Sequence, residues 1–159
     1  MATIEIQTVG RSAPPRVSDE FVLELRTRAA RRPVEAIRPL SAREVSVAVR
    51  HAHDENCELA LDLSGLRRIV LDPRQKTARV QPGVTAAELH DGAAHWRLAA
   101  LLERGRLVRA SLLAAEVVLP DGELVWADEK LLQEIRAGRA ACVVVDATYR
   151  LHDPAELRR

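Results

Sequence analysis

Helix-capping signals interleaved with tight hairpin turns predict a mixed α/β (α+β) domain: a mixed sheet with flanking helices, rather than a doubly wound parallel sheet. Three observations carry this expectation. Ser41-Ala42-Arg43-Glu44 and Thr85-Ala86-Ala87-Glu88 both read as capping boxes, in which a hydroxyl and a carboxylate satisfy the free N–H groups of a helix start. Pro73-Arg74-Gln75 and Pro120-Asp121-Gly122-Glu123 each divide two short β-prone runs. Residues 141–151 form a long final run rich in valine, of strand character.

Taken in order, residues 3–7 alternate and read as a short strand. Residues 12–17, with Pro14 and Pro15, form a loop. Ser18 caps a helix to about Ala30, with Phe21, Leu23 and Leu25 among its apolar positions, and Arg31-Arg32-Pro33 ends it. Residues 34–38 are a short strand. The first capping box opens a helix to about Asn56 with Val45, Val47, Ala48, Val49 and Ala52 as its apolar set, and residues 58–63 follow as a buried strand. Residues 69–72 and 77–81 form a hairpin, and Pro82-Gly83 a turn. The second box opens a helix to about Trp96. Residues 98–107, apolar with interspersed arginines, read as helical. Residues 111–119 and 124–126 pair across the Pro120-Asp121-Gly122-Glu123 turn. Residues 128–135 form a short helix, and the polar tail 153–159 is expected to fray. There is no internal repeat. The chain reads as a single domain, with two small lobes over about 1–82 and 83–152.

Composition excludes several function classes. With 24 basic and 23 acidic residues in 159, the net charge of +1 offers no electrostatic footprint for nucleic acid or an anionic membrane. Aromatic residues make up 3%, too few for base-stacking platforms. No run approaches the length of a membrane span, and the first ten residues lack the apolar core of a signal peptide, so a cytoplasmic protein is expected. Lysine occurs only at Lys76 and Lys130, an arginine-for-lysine bias expected of a GC-rich bacterial genome. Cys57 and Cys142 lie in apolar runs without metal-ligand spacing and read as buried, reduced thiols.

Four segments, in order, resemble the FAD-binding (PCMH-type) domain of the FAD-linked oxidases of the vanillyl-alcohol-oxidase and berberine-bridge superfamily. The first runs from Arg32-Pro33 through Arg38-Pro39 to Ser41-Ala42-Arg43-Glu44-Val45 and Ala48-Val49-Arg50. The second is Asp62-Leu63-Ser64-Gly65-Leu66 with Val80-Gln81-Pro82-Gly83-Val84-Thr85 and Glu88-Leu89. The third is Leu112-Leu113-Ala114-Ala115-Glu116-Val117-Val118-Leu119-Pro120-Asp121-Gly122. The fourth comprises Leu131-Leu132, Ile135-Arg136 and Thr148-Tyr149-Arg150-Leu151-His152. The resemblance implies a mixed-sheet scaffold and, by family, FAD. The family's glycine-rich, histidine-bearing loop would follow Leu59-Ala60-Leu61, but here Leu61 runs directly into Asp62. His95-Trp96-Arg97-Leu98 bridges the place of a second glycine-rich stretch, and a third has become Arg136-Ala137-Gly138-Arg139-Ala140-Ala141-Cys142. Close backbone approach to a pyrophosphate needs glycine. No bound FAD is therefore expected, and no metal or other cofactor.

Candidate chemistry lies at two places. His90, His95 and Trp96 cluster at the end of the second capped helix and suit a general base and ligand-orienting groups, or are simply helix-end residues favoured by the dipole. Asp146 and Tyr149 interrupt the final apolar strand; a buried acid is costly unless partnered, so Asp146 is either a catalytic acid or the partner of an arginine. His95, Asp146 and Tyr149 are the catalytic candidates. His90, Trp96, Glu116 and Cys142 are the substrate-binding candidates, Glu116 also suiting a structural role. His51, His53, Asp54 and Glu55 read as a solvated helix end, and Arg104, Arg106 and Arg109 as a solvated basic face.

Three functions follow. The first is a cofactor-independent cyclase or isomerase of natural-product biosynthesis, working on an apolar small molecule in the place left by the flavin. The second is a non-catalytic binding or partner protein, expected as a homodimer covering exposed apolar surface. The third is a residual FAD-dependent oxidoreductase.

Overall fold

The computed structural model describes residues 3–6, 36–103 and 106–158. The helix expected over residues 18–30 lies outside them. The described residues build a mixed α/β arrangement from a parallel sheet, a larger antiparallel sheet and a separate two-stranded hairpin. Strands β1 (Thr3–Ile6), β2 (Ala36–Ile37) and β3 (Glu58–Leu61) form a parallel sheet in the order β1-β3-β2. A second, antiparallel sheet has the order β10-β9-β11-β5-β4, from β4 (Ile69–Asp72), β5 (Thr77–Val80), β9 (Leu112–Val118), β10 (Leu124–Trp126) and β11 (Val143–His152). The β4–β5 hairpin precedes residue 82 yet belongs to the same sheet as the strands that follow it.

The helices begin where local chemistry starts them. In α1 (Ala42–Asp54) the Ser41 hydroxyl accepts from the Glu44 N–H at 3.2 Å, while the Glu44 carboxylate accepts from the Leu40 N–H at 2.6 Å, one residue before the expected partner. In α2 (Ala86–His95) both halves of the box are formed between Thr85 and Glu88. The Asp128 carboxylate caps α3 (Glu129–Arg136) by accepting from the Leu131 N–H at 2.8 Å.

Three expectations are corrected. Residues 98–107 are not helical. Arg97 takes a left-handed φ of 58°, which ends α2, and the chain continues as β6 (Ala99–Ala100), β7 (Leu102–Glu103) and β8 (Arg106–Leu107). β6 pairs with Leu151 and His152 at the end of β11, and β7 and β8 form a hairpin, so distant pairing outweighs local helical preference. Val47 is 62% exposed: two residues from Val45 and from Val49, it falls on the opposite side of α1 from the face those valines bury. Cys57 is exposed, because it follows a left-handed Asn56 before β3 turns inward, whereas Cys142 is buried as expected.

Two apolar cores flank the antiparallel sheet. One packs α2 and α3 against Ala78, Val80, Leu112, Ala115, Val117, Val144, Ala147, Tyr149 and Leu151. The other packs Val45, Val49 and Ala52 of α1 against Leu59, Leu61, Leu63 and Leu66, with Val118, Val143 and Val145 from the back of the sheet. Each fully buried valine or leucine contributes about 1.5–3 kcal/mol. Strand β11 serves both cores through a bulge: Val144 pairs with Val117 and Asp146 with Glu116, leaving Val145 as the extra residue.

Candidate functional site

Beyond the valines under α1, the back of the antiparallel sheet carries polar chemistry. Ala78 and Val80 point into the helix-covered core, so Arg79 between them points the other way. Cross-strand pairing places Val70, Arg79 and Thr148 in one row, and Asp146, Glu116 and Trp126 in the next. The Asp146 side chain is only 5% exposed. Its Oδ2 accepts from Arg79 Nε at 2.9 Å and lies 2.8 Å from Arg79 Nη2 and 3.6 Å from Arg68 Nη2. Among the described residues its Oδ1 is buried without a hydrogen-bond partner. The Arg79 guanidinium sits 5.1 Å from the centroid of the half-exposed Trp126 ring, a cation–π contact. The hydrogen bond to Asp146 raises the Arg79 pKa above its ordinary value, and the negative charges of Asp146 and Glu116 add to this. Asp146, Arg79, Arg68, Glu116 and Trp126 thus form one charged and aromatic cluster on an otherwise apolar strand framework.

The expected site residues are distributed over both faces of the sheet. Asp146 and Glu116 are brought together in this cluster. Tyr149 is fully buried in the core under α2 and α3, on the opposite face from Asp146, and Cys142 lies in that same core. Burial pushes the Cys142 thiol up to about 11, with the charge of Glu134 acting in the same direction. His90, His95 and Trp96 are exposed on α2 and just beyond it, where the His95 and Trp96 rings meet edge to face at 6.0 Å. His51, His53, Asp54 and Glu55 are exposed at the end of α1. A shallow groove of about 450 Å³ along α1 is lined, among the described residues, by Arg43, Ser46, Val47, Arg50, His51 and Asp54. The side chains of Arg104 and Arg106 lie outside the described residues. Among the described residues no group of three His, Cys, Asp or Glu could hold a metal ion, and no helix is long and apolar enough to cross a membrane.

Arg79, Arg68 and Trp126 were not among the expected site residues. Their signal is present in the sequence: Arg79 stands between two apolar residues of a short strand, and Trp126 ends the return strand of a hairpin.

No family model matches the chain, and no curated protein matches it by sequence. Solved structures do match. 6-Hydroxy-D-nicotine oxidase from Arthrobacter nicotinovorans superposes with a TM-score of 0.64 at 22% identity, over 77% of this chain and 38% of that one. A berberine-bridge-enzyme-like protein (number 28) from Arabidopsis thaliana gives a TM-score of 0.69 at 20% identity, over 88% of this chain and 38% of that one. A berberine bridge enzyme variant in complex with (S)-reticuline gives 0.66 at 17% identity, over 74% of this chain and 33% of that one.

The chain has the fold of the FAD-linked oxidases. It spans between 33% and 38% of the length of these structures.

The FAD-linked oxidase fold implies FAD, and the described glycines allow a test of fit. A Cβ on Gly83 would stand 2.6–2.8 Å from the carbonyl oxygens of Leu66, Leu63 and Ser64, and one on Gly122 would stand 2.5–2.7 Å from Arg50. One on Gly65 would meet Pro39 O and Leu40 Cδ2 at 3.0 Å, and Gly92 packs on Leu71. Gly138 closes α3 with a φ of 76°. The open side of Gly65, Gly83 and Gly122 is thus filled by the chain itself. β3 is followed at once by Asp62, whose carboxylate caps the short turn Leu63–Gly65 by accepting from the Ser64 N–H at 3.0 Å. Among the described residues the backbone does not fit a pyrophosphate cradle.

Proposed function

We propose that the chain is a flavin-free, non-redox binding domain on the FAD-linked oxidase scaffold, taking an apolar, planar small molecule on the back of its antiparallel sheet. The observation that carries this reading is the direct passage of β3 into the Asp62-capped turn Leu63–Gly65, where the resembled family carries its glycine-rich loop, with Gly83 and Gly122 closed against the chain's own atoms. The Trp126 ring offers a stacking surface, and the N–H groups of Arg79 beyond those spent on Asp146 orient an acidic substituent. The test combines two measurements on the purified protein. Its absorption spectrum is expected to lack stoichiometric flavin absorbance near about 450 nm, also after incubation with FAD. Naphthoate is expected to quench tryptophan fluorescence and raise the melting temperature, with both effects lost in Trp126→Phe. Stoichiometric flavin would overturn the flavin-free reading; equal quenching in Trp126→Phe would overturn the ligand surface.

A second reading, a cofactor-independent cyclase or isomerase, is favoured by one observation: among the described residues Asp146 Oδ1 has no hydrogen-bond partner, so the carboxylate keeps an unspent acceptor that a substrate proton reaches only on displacing the side chains that bury it. On this reading Asp146 is the base and its two guanidiniums stabilise developing negative charge. Asp146→Asn would abolish turnover of a molecule shown to bind, while leaving its affinity within a few-fold. Unchanged turnover in that variant would remove Asp146 from the chemistry.

A further inference from the structure

We infer that one of the two edges of the antiparallel sheet, strand β4, is the surface through which two copies of this chain associate. Among the described residues β4 pairs only with β5, so its outer side is a sheet edge. Natural edges are usually blunted by lysine, proline or a bulge. Within Ile69-Val70-Leu71 there is no charge, proline or bulge, and Val70 is 51% exposed; Asp72 and Pro73 confine the open stretch to these three residues on that side.

The hydrogen-bonding phase of β4 decides which groups the edge offers. The Gln81 N–H donates to the Arg68 carbonyl at 3.0 Å, directly opposite in the β4–β5 register. Inward-facing residues alternate along an antiparallel strand, so Arg68, Val70 and Asp72 direct their backbone towards β5. Ile69 and Leu71 direct theirs outward. An antiparallel partner centred on Val70 therefore sets Ile69 against Leu71 of the second copy, and Leu71 against Ile69, closing four backbone hydrogen bonds. The two Val70 side chains meet at the axis, as a close non-hydrogen-bonded pair.

Side-chain charge fits the same register. Arg68 falls opposite Asp72 of the second copy, and Asp72 opposite Arg68. The segment Arg68-Ile69-Val70-Leu71-Asp72 is thus self-complementary when reversed: a cation, three apolar residues and an anion. The Arg68 side chain is 60% exposed and only loosely held at 3.6 Å from Asp146, so it is available to the edge. Asp72 accepts from the Arg74 and Gln75 N–H groups through Oδ1, which fixes its carboxylate at the strand end. Pro73 has no N–H to donate, so the added ladder stops there. Any other register of the pair sets the exposed Val70 against Ile69, Leu71 or a charged end and forfeits the two symmetric ion pairs.

Sedimentation velocity and amide hydrogen exchange on the whole chain test this. The wild-type protein is expected to show a concentration-dependent monomer–dimer equilibrium that weakens with salt. The Ile69 and Leu71 amides should become protected as dimer forms, while the inward Val70 amide is protected throughout. Val70→Lys, at an exposed position, should give a monomer with unchanged circular dichroism. A wild-type monomer at every concentration would overturn the proposal. So would a dimer that persists in Val70→Lys, or one that leaves the Ile69 and Leu71 amides exchanging freely.

Discussion

The two cysteines divide the chain's thiol chemistry by burial alone. Cys142 is 2% exposed among Leu132, Ile135 and Ala140, and loss of solvation drives its pKa up to about 11 from an ordinary 9.0. Cys57 is exposed. In native protein one thiol should react with a maleimide or disulfide reagent at neutral pH, and the second only in denaturant. Because the folded pKa is raised, the proton is held more tightly in the folded state. The stability this represents is complete below about pH 9 and is lost as pH rises through about 11, an amount on the order of 2–3 kcal/mol. Cys142→Ala should flatten the fall in denaturation midpoint over that interval; an unchanged slope would place the titration elsewhere. At this scale the sequence was only half legible. That Asp146 needed a partner followed from its place in an apolar strand, but which of 22 arginines supplied it did not. Arg79 is 67 residues away, and only the sheet brings the two together.

Elements whose start or turn is encoded within four residues were the legible ones. The capping box at Thr85, the aspartate cap of α3 and the hairpins about residues 73–76 and 120–123 all stand where their local chemistry puts them. Residues 98–107 were not legible, because what makes β6 a strand is a partner at Leu151 and His152, some fifty residues on. The same distinction governs two glycines. Gly83→Ala should cost about 2–3 kcal/mol, since the new Cβ would press on three carbonyl oxygens that cannot yield without shifting the turn. Gly92→Ala should be neutral or stabilising by about 0.5–1 kcal/mol, because it lies inside α2 and its Cβ would make an ordinary 3.4 Å contact with Leu71. Urea denaturation midpoints of the two variants check this, and similar losses in both would contradict it.

At the scale of the whole molecule, the two sheets are joined through one apolar layer: α1 and β3 on one side, and Val118, Val143 and Val145 on the other. The scaffold was legible because this layer draws on segments that keep the family's order. The surface opposite α2 and α3 was not, since it depends on which residues of β5, β9, β10 and β11 share a face. The bulge at Val145 sets that division. By adding one residue, β11 turns Val145 and Asp146 towards the same side, next to each other, while Val144 and Ala147 still reach the far core. The frontier between the mortar of the fold and its polar chemistry is therefore one residue wide. A chain shortened by that single residue would have one berth where it now has two, and would have to choose between filling the layer beneath α1 and keeping its carboxylate.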